Sequence, residues 1–186
     1  MKLSILIPTL PEEYSINMLK RLRSILDPQV ARFPGEVEIK IHDAGRFMPT
    51  GTKRNELIKN SDSDYFVQID CDDIVPMYYV DELMKAIEQG PDVISFIGDM
   101  VTDGKKLNGF TIKLGSKYEE RNGHYYRFPN HLACYKRATV GHVKFPDIWM
   151  QEDYRWAQSI QHLLKSEVHI NKKMYTYEYV SNKPKR

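Results

Sequence analysis

The stretch Ile69-Asp70-Cys71-Asp72-Asp73 places three carboxylates within four residues, directly after the apolar run Tyr65-Phe66-Val67-Gln68-Ile69. Like charges that close repel, and one would keep its proton unless a cation sits among them. A hard divalent ion, Mn²⁺ or Mg²⁺, is the usual resolution, and it would bridge the phosphates of a ligand. The competing reading is a solvated acidic turn that caps the next helix. A second acidic group, Gln151-Glu152-Asp153, opens a helical stretch. There Asp153 is either a cap that complements the helix dipole or a carboxylate that takes a proton from an attacking hydroxyl. In Gly51-Thr52-Lys53-Arg54-Asn55 two cations stand at a helix start. They oppose the dipole there, so they need another reason, such as phosphate contact, unless they are a surface basic cluster.

Histidine and cysteine carry weaker signals. His131, in Pro129-Asn130-His131-Leu132, reads as a packed or surface group, and His169, on a short late strand, is a candidate third metal ligand. Cys71 and Cys134 have no zinc-site spacing around them. They read as free thiols in a reducing compartment, which places the chain in the cytoplasm.

The elements that must position these residues follow from the apolar pattern. Leu3 to Pro8 reads as a buried strand. Met18, Leu19, Leu22, Ile25 and Leu26 recur at helical spacing. Val37, Ile39 and Ile41 alternate with polar residues in a strand ending at Asp43, and a short helix runs from Thr50 to about Lys59. Tyr65 to Ile69 is a third strand, Val80, Leu83, Met84 and Ile87 form a helix closed by Gly90, and Val93 to Ile97 is a fourth strand. The first hundred residues therefore read βαβαβαβ, an α/β pattern with a mostly parallel sheet and helices on both faces. Ligands of such sheets sit beyond the carboxyl ends of the strands, where Asp43 and the Asp70 cluster both fall. The second half changes character. Asn108-Gly109 and Asn122-Gly123 predict hairpin turns in a small antiparallel elaboration, Asp153 to about Leu164 a helix, and Val168-Ile170 and Met174 to Val180 late strands. No linker divides the 186 residues, so one domain is expected, with a change of character between 1–100 and 101–186.

Composition bounds the function. A net charge of +2 excludes a strongly electrostatic nucleic-acid binder, and the basic tail Lys183 to Arg186 reads as solvated. No apolar window is long enough for a membrane span, and the Leu3–Pro8 run is too short for a signal peptide.

Taken in order, Ser4-Ile5-Leu6-Ile7-Pro8-Thr9, Lys53-Arg54-Asn55, Gln68-Ile69-Asp70-Cys71-Asp72-Asp73 and Glu152-Asp153 resemble a family 2 type glycosyltransferase of GT-A fold, across roughly Lys2 to Leu164. Pro129-Asn130-His131-Leu132 is similar to small glycosyltransferases of bacterial viruses. The resemblance implies inverting, metal-dependent transfer of a sugar from a nucleotide-sugar donor, UDP-sugar favoured, to a hydroxyl of an unspecified glycan, protein or modified nucleic acid. It implies that Asp43 contacts the base and that Thr9, Lys53, Arg54, Asn55, Cys71 and Glu152 lie by the donor. Asp70 would hold the ribose or metal, Asp72 and Asp73 the metal and diphosphate, and Asp153 would be the base. The alternatives are an inactive nucleotide-sugar-binding or lectin-like module, or a related nucleotidyltransferase. A haloacid-dehalogenase-like phosphatase wants its aspartates after the first strand. A pyrophosphorylase or a dinucleotide-binding domain wants a glycine-rich loop where Thr9-Leu10-Pro11-Glu12 stands.

Overall fold

The computed structural model describes residues 1–181, so the basic tail lies outside the described residues, as do the side chains of residues 106 and 107. The helices are α1 (Glu13–Val30), α2 (Thr50–Lys59), α3 (Tyr79–Ile87), α4 (Arg137–Val140) and α5 (Glu152–Ile160), the last continued by one 3-10 turn. The strands are β1 (Leu3–Pro8), β2 (Val37–His42), β3 (Tyr65–Gln68), β4 (Val93–Thr102), β5 (Lys105–Ile112), β6 (Glu119–Arg121), β7 (His124–Arg127), β8 (Cys134–Lys136) and β9 (Glu167–Tyr179).

All strands join one sheet in the order β2-β1-β3-β8-β4-β5-β7-β6, with β9 paired to β4. The mostly parallel sheet expected from the sequence is corrected to a mixed one. β1 runs parallel to both neighbours, but the three-residue β8 inserts antiparallel between β3 and β4. β4 therefore keeps the direction a βαβ crossover requires without touching β3. Every residue of β1 is buried, as a strand covered on both faces must be. α1 packs with α3, and α2 with α5. The α1–α3 seam has a polar clamp: buried Gln29 donates to Pro76 O and accepts from Val80 N, so burying its amide leaves nothing unpaired.

The hairpin expectations divide. Asn122-Gly123 forms the β6–β7 turn with both residues at positive φ (51° and 72°). Asn108 and Gly109 instead lie inside β5, and the turn falls at Asp103-Gly104, with φ 49° and 76°. Gly109 serves close packing: a Cβ there would stand 2.9 Å from His124 Nδ1. The late strands are one element. β9 runs beside β4 for its whole length, with register shifts around Ile97.

Candidate functional site

A cleft of about 1360 Å³ opens beyond the carboxyl ends of β1 and β3, where a doubly covered α/β sheet receives ligands. Thr9, Lys53, Arg54, Asp70, Cys71, Asp72, Glu152 and Asp153 all line it. Elements distant in the chain thus meet in one cleft. Asp43, Asn55, Asp73 and His169 are not among its lining residues.

Arg54 is the hub. It is buried on α2 and donates to Gln68 Oε1 (2.7 Å) and Asp70 Oδ1 (2.9 Å), with Glu152 Oε1 at 3.5 Å. Burial disfavours its charge, but Asp70, Glu152 and Asp153 outweigh that and raise its pKa. The reason for this cation at a helix start is therefore a set of protein carboxylates. Lys53 is also buried, with Nζ donating to Thr9 O at 3.1 Å, and burial lowers its pKa. No ion-pair partner lies within reach of its ammonium among the described residues. Asn55 holds a loop: its amide donates to Phe145 O and accepts from Phe145 N, each at 2.8 Å. Asp43 is exposed past the end of β2, and Lys53 feels its charge.

The aspartate cluster divides by environment. Burial opposes ionisation of Asp70, but Arg54 and His131 hold its carboxyl far below the usual range. Asp73 turns inward. Tyr175 Oη and Glu178 N donate to its carboxylate at 2.7 and 2.9 Å, while burial and the nearby Asp70 push its pKa well above the ordinary value. A protein hydroxyl and amide thus occupy the oxygens expected on a metal, and Asp72 is left facing the cleft beside Asp70. The crowding of charge that suggested a cation is relieved by Arg54, by His131 and by burial of Asp73. Among the described residues no group of three or more His, Cys, Asp or Glu is arranged to hold a metal. Burial pushes the Cys71 thiol up to about 11, which makes it a poor nucleophile.

His169 lies elsewhere. It lines a separate cavity of about 840 Å³ with Lys113 and Arg121, and its Nδ1 is 2.8 Å from Ser95 Oγ. Burial and Lys113 lower its pKa. It shares no cavity with Asp70 or Asp72, which removes it from any metal site in the cleft.

His131, which by sequence reads as a packed or surface group, stands at the centre. It is held between the two acidic groups, with Nε2 3.5 Å from Asp70 Oδ2 and Nδ1 3.2 Å from Asp153 Oδ2. The Nδ1 contact is in ion-pair range but off a hydrogen-bond line. Burial and Arg54 disfavour the imidazolium, yet the two carboxylates prevail and raise its pKa. For Asp153 burial works upward, while His131 and the Tyr154 N–H bring the net down to about 2. A lone histidine announces none of this in sequence. The only cue was its place in a Pro-Asn-His run before β8.

The loop from Phe145 to Gln151 closes one side. Phe145 stacks on Trp156 (centroids 4.3 Å apart, 10° between planes), and Trp156 Nε1 donates to Val143 O. Thr52 bonds Asp147, and a Cβ on Gly51 would lie 2.1 Å from Pro146 O. Gly51 is thus required for α2 to touch this loop. Gln151 then adopts φ 66°, unusual for a residue with a side chain, immediately before α5.

The family model for glycosyl transferase family 2 matches residues 21–150, and the chain belongs to that family. Among solved structures it is similar to S. aureus TarS 1–349 in complex with UDP-GlcNAc (TM-score 0.72, 15% identity), covering 98% of this chain and 60% of that one. The same protein in complex with UDP gives a TM-score of 0.70 at 15% identity, over 96% of this chain and 60% of that chain. This chain therefore spans less than two-thirds of the TarS structures it matches. A search of curated proteins finds no match. No helix among the described residues is long and apolar enough to cross a membrane.

Proposed function

We propose that this chain transfers a sugar from a nucleoside diphosphate sugar, with a UDP-sugar as the favoured donor, to an acceptor hydroxyl with inversion at the anomeric carbon. The observation that carries the reading is the Asp70–His131–Asp153 bridge across one cleft, which holds a donor-side carboxylate and a base in fixed relation. Family membership and the likeness in fold to TarS in complex with UDP-GlcNAc support the choice of donor. In this division residues 1–100 serve the nucleotide and residues 101–186 supply the base and the acceptor side.

Asp153 takes the proton from the acceptor hydroxyl as its oxygen bonds the anomeric carbon. The bond from that carbon to the diphosphate oxygen breaks, and its electron pair leaves on the nucleoside diphosphate. Attack and departure lie on opposite sides of the carbon, so the configuration inverts and no covalent enzyme intermediate is needed. Lys53 meets the diphosphate charge, and Asp70, fixed by Arg54, faces the ribose. The cleft carboxylate of Asp72 suits Mg²⁺ or Mn²⁺, which take one or two protein carboxylates and complete their shell with phosphate oxygens and water. That ion would neutralise charge on the leaving diphosphate. Asp73 and His169 are left out of the ligand set.

The test is Asp153→Asn. Asn caps a helix about as well as Asp, so a capping role forecasts near-silence. The base role forecasts a fall in transfer of roughly 10²–10⁴-fold with donor affinity nearly unchanged. Transfer at a near-normal rate would remove the mechanism. UDP binding without turnover in the unaltered chain, across a donor and acceptor screen, would favour the inactive binding module.

A further inference from the structure

The chain around Asp153 exposes aromatic groups that the protein's own core does not use. Trp149 is 55% exposed and Met150 80% exposed, and both line the cleft that Asp153 lines. Tyr154, the residue after Asp153, and Tyr118 meet edge to face with centroids 5.1 Å apart, each more than a third exposed. Asn130, next to His131, donates to Tyr118 Oη at 3.4 Å.

Large apolar groups in solvent cost free energy unless something covers them, and here they sit on a fixed base. The loop that carries Trp149 is pinned by the paired Asn55–Phe145 hydrogen bonds, by the Phe145–Trp156 stack and by the backbone approach at Gly51. Gln151 accepts a left-handed conformation at its end, the kind of local strain that persists where surrounding structure imposes it. A loop held this firmly at its base keeps its tip in place.

The ligand must satisfy two demands at once. It must present a hydroxyl to Asp153, and it must lay an apolar surface on the indole and the thioether that line the same cleft. An alkyl chain meets only the second demand, and a small polyol only the first. A pyranose ring meets both, because its C–H face is apolar while its rim carries hydroxyls, and amphipathic aromatics such as Trp and Tyr suit such a partner. We infer that the acceptor of this chain is a glycan whose terminal sugar ring stacks on Trp149. This rests on the transferase reading above and assigns its acceptor class.

Only two tryptophans exist, and Trp156 is 1% exposed, so quenching by acrylamide reports Trp149. UDP-saturated protein is titrated with methyl glycosides of glucose, galactose and N-acetylglucosamine, with glycerol and an octyl-chain zwitterionic detergent below micelle formation as comparisons. The expected result is that a glycoside shields the indole, lowering the quenching constant about twofold with a dissociation constant in the millimolar range, roughly −4 kcal/mol. Neither glycerol nor the detergent should do so. In Trp149→Phe the quenchable emission disappears, while calorimetric UDP binding reports that the fold and donor site are intact. Shielding by the detergent alone would make the acceptor a lipid, and no shielding by any glycoside would also overturn the assignment. Absence of UDP binding to the unaltered chain would instead remove the transferase reading on which it rests.

Discussion

Most of what the site can do depends on charges held in place by other charges. His131 gains two carboxylate neighbours on folding, so its pKa rises, and its stabilising effect is complete below the pKa of a free imidazole and disappears as pH rises through the folded value. Asp153 shifts the other way, so its contribution is present above the pKa of a free carboxyl and is lost as pH falls toward about 2. Both therefore act fully between about pH 4 and 6.5. His131→Asn should lower stability by about 1–2 kcal/mol in that window, because two partly exposed carboxylates lose the cation between them while Asp70 keeps Arg54, and by less near pH 9. Denaturant midpoints of the two proteins across pH check this, and a difference independent of pH would contradict it. Lys53→Met should weaken UDP binding by about 1.5–3 kcal/mol in calorimetry if its ammonium meets the diphosphate, and unchanged affinity would return it to a wall residue. The acidic residues of this site were legible because carboxylates at strand and helix ends are locally conspicuous. His131 was not, since its meaning lies in partners contributed by the turn after β3 and by α5. Arg54 was half legible: a cation at a helix start did need a reason, but the reason lay across the fold.

At the scale of elements, contiguous apolar runs and helical spacing made the first βαβαβ order readable, because those elements bury their faces locally. β8 escaped notice. Three residues carry no period, and only their pairing with Tyr65–Phe66 and Val93–Ile94 makes them a strand. The choice between Asn108-Gly109 and Asp103-Gly104 also lay beyond local signals, since both dipeptides suit a tight turn and strand register decides between them. α2 and the loop after Val143 depend on one missing side chain. Gly51→Ala places a carbon against Pro146 O, so one element must move. The expected cost is about 1–3 kcal/mol by thermal or chemical denaturation. Transfer should fall further than stability alone explains, because the same loop leads into Asp153. A fully active, equally stable variant would show that the contact yields freely.

For the whole molecule, β9 is the strut. It runs along β4, stacks Tyr175 against Phe96 (centroids 6.4 Å apart), and sends Tyr175 and Glu178 to the Asp70–Asp73 turn. Arg21 of α1 completes the brace by pairing with Glu178 at 2.8 Å and donating to Asp72 O at 3.0 Å. Shortening the chain to end at residue 166 should abolish cooperative unfolding, read by circular dichroism on heating, because Phe96 and Asp73 would lose their cover. A sharp transition in the shortened chain would show that the sheet closes without it. The family match ends at residue 150, before Asp153 and β9, and begins at residue 21, after β1. The matched stretch thus holds Lys53, Arg54, Asp70, Asp72 and His131 of the cleft, while Asp153, the proposed base, lies beyond it. A library that varied only the matched stretch would leave the proposed base and the strut untouched, while drift in the unmatched ends would change both without erasing the family likeness.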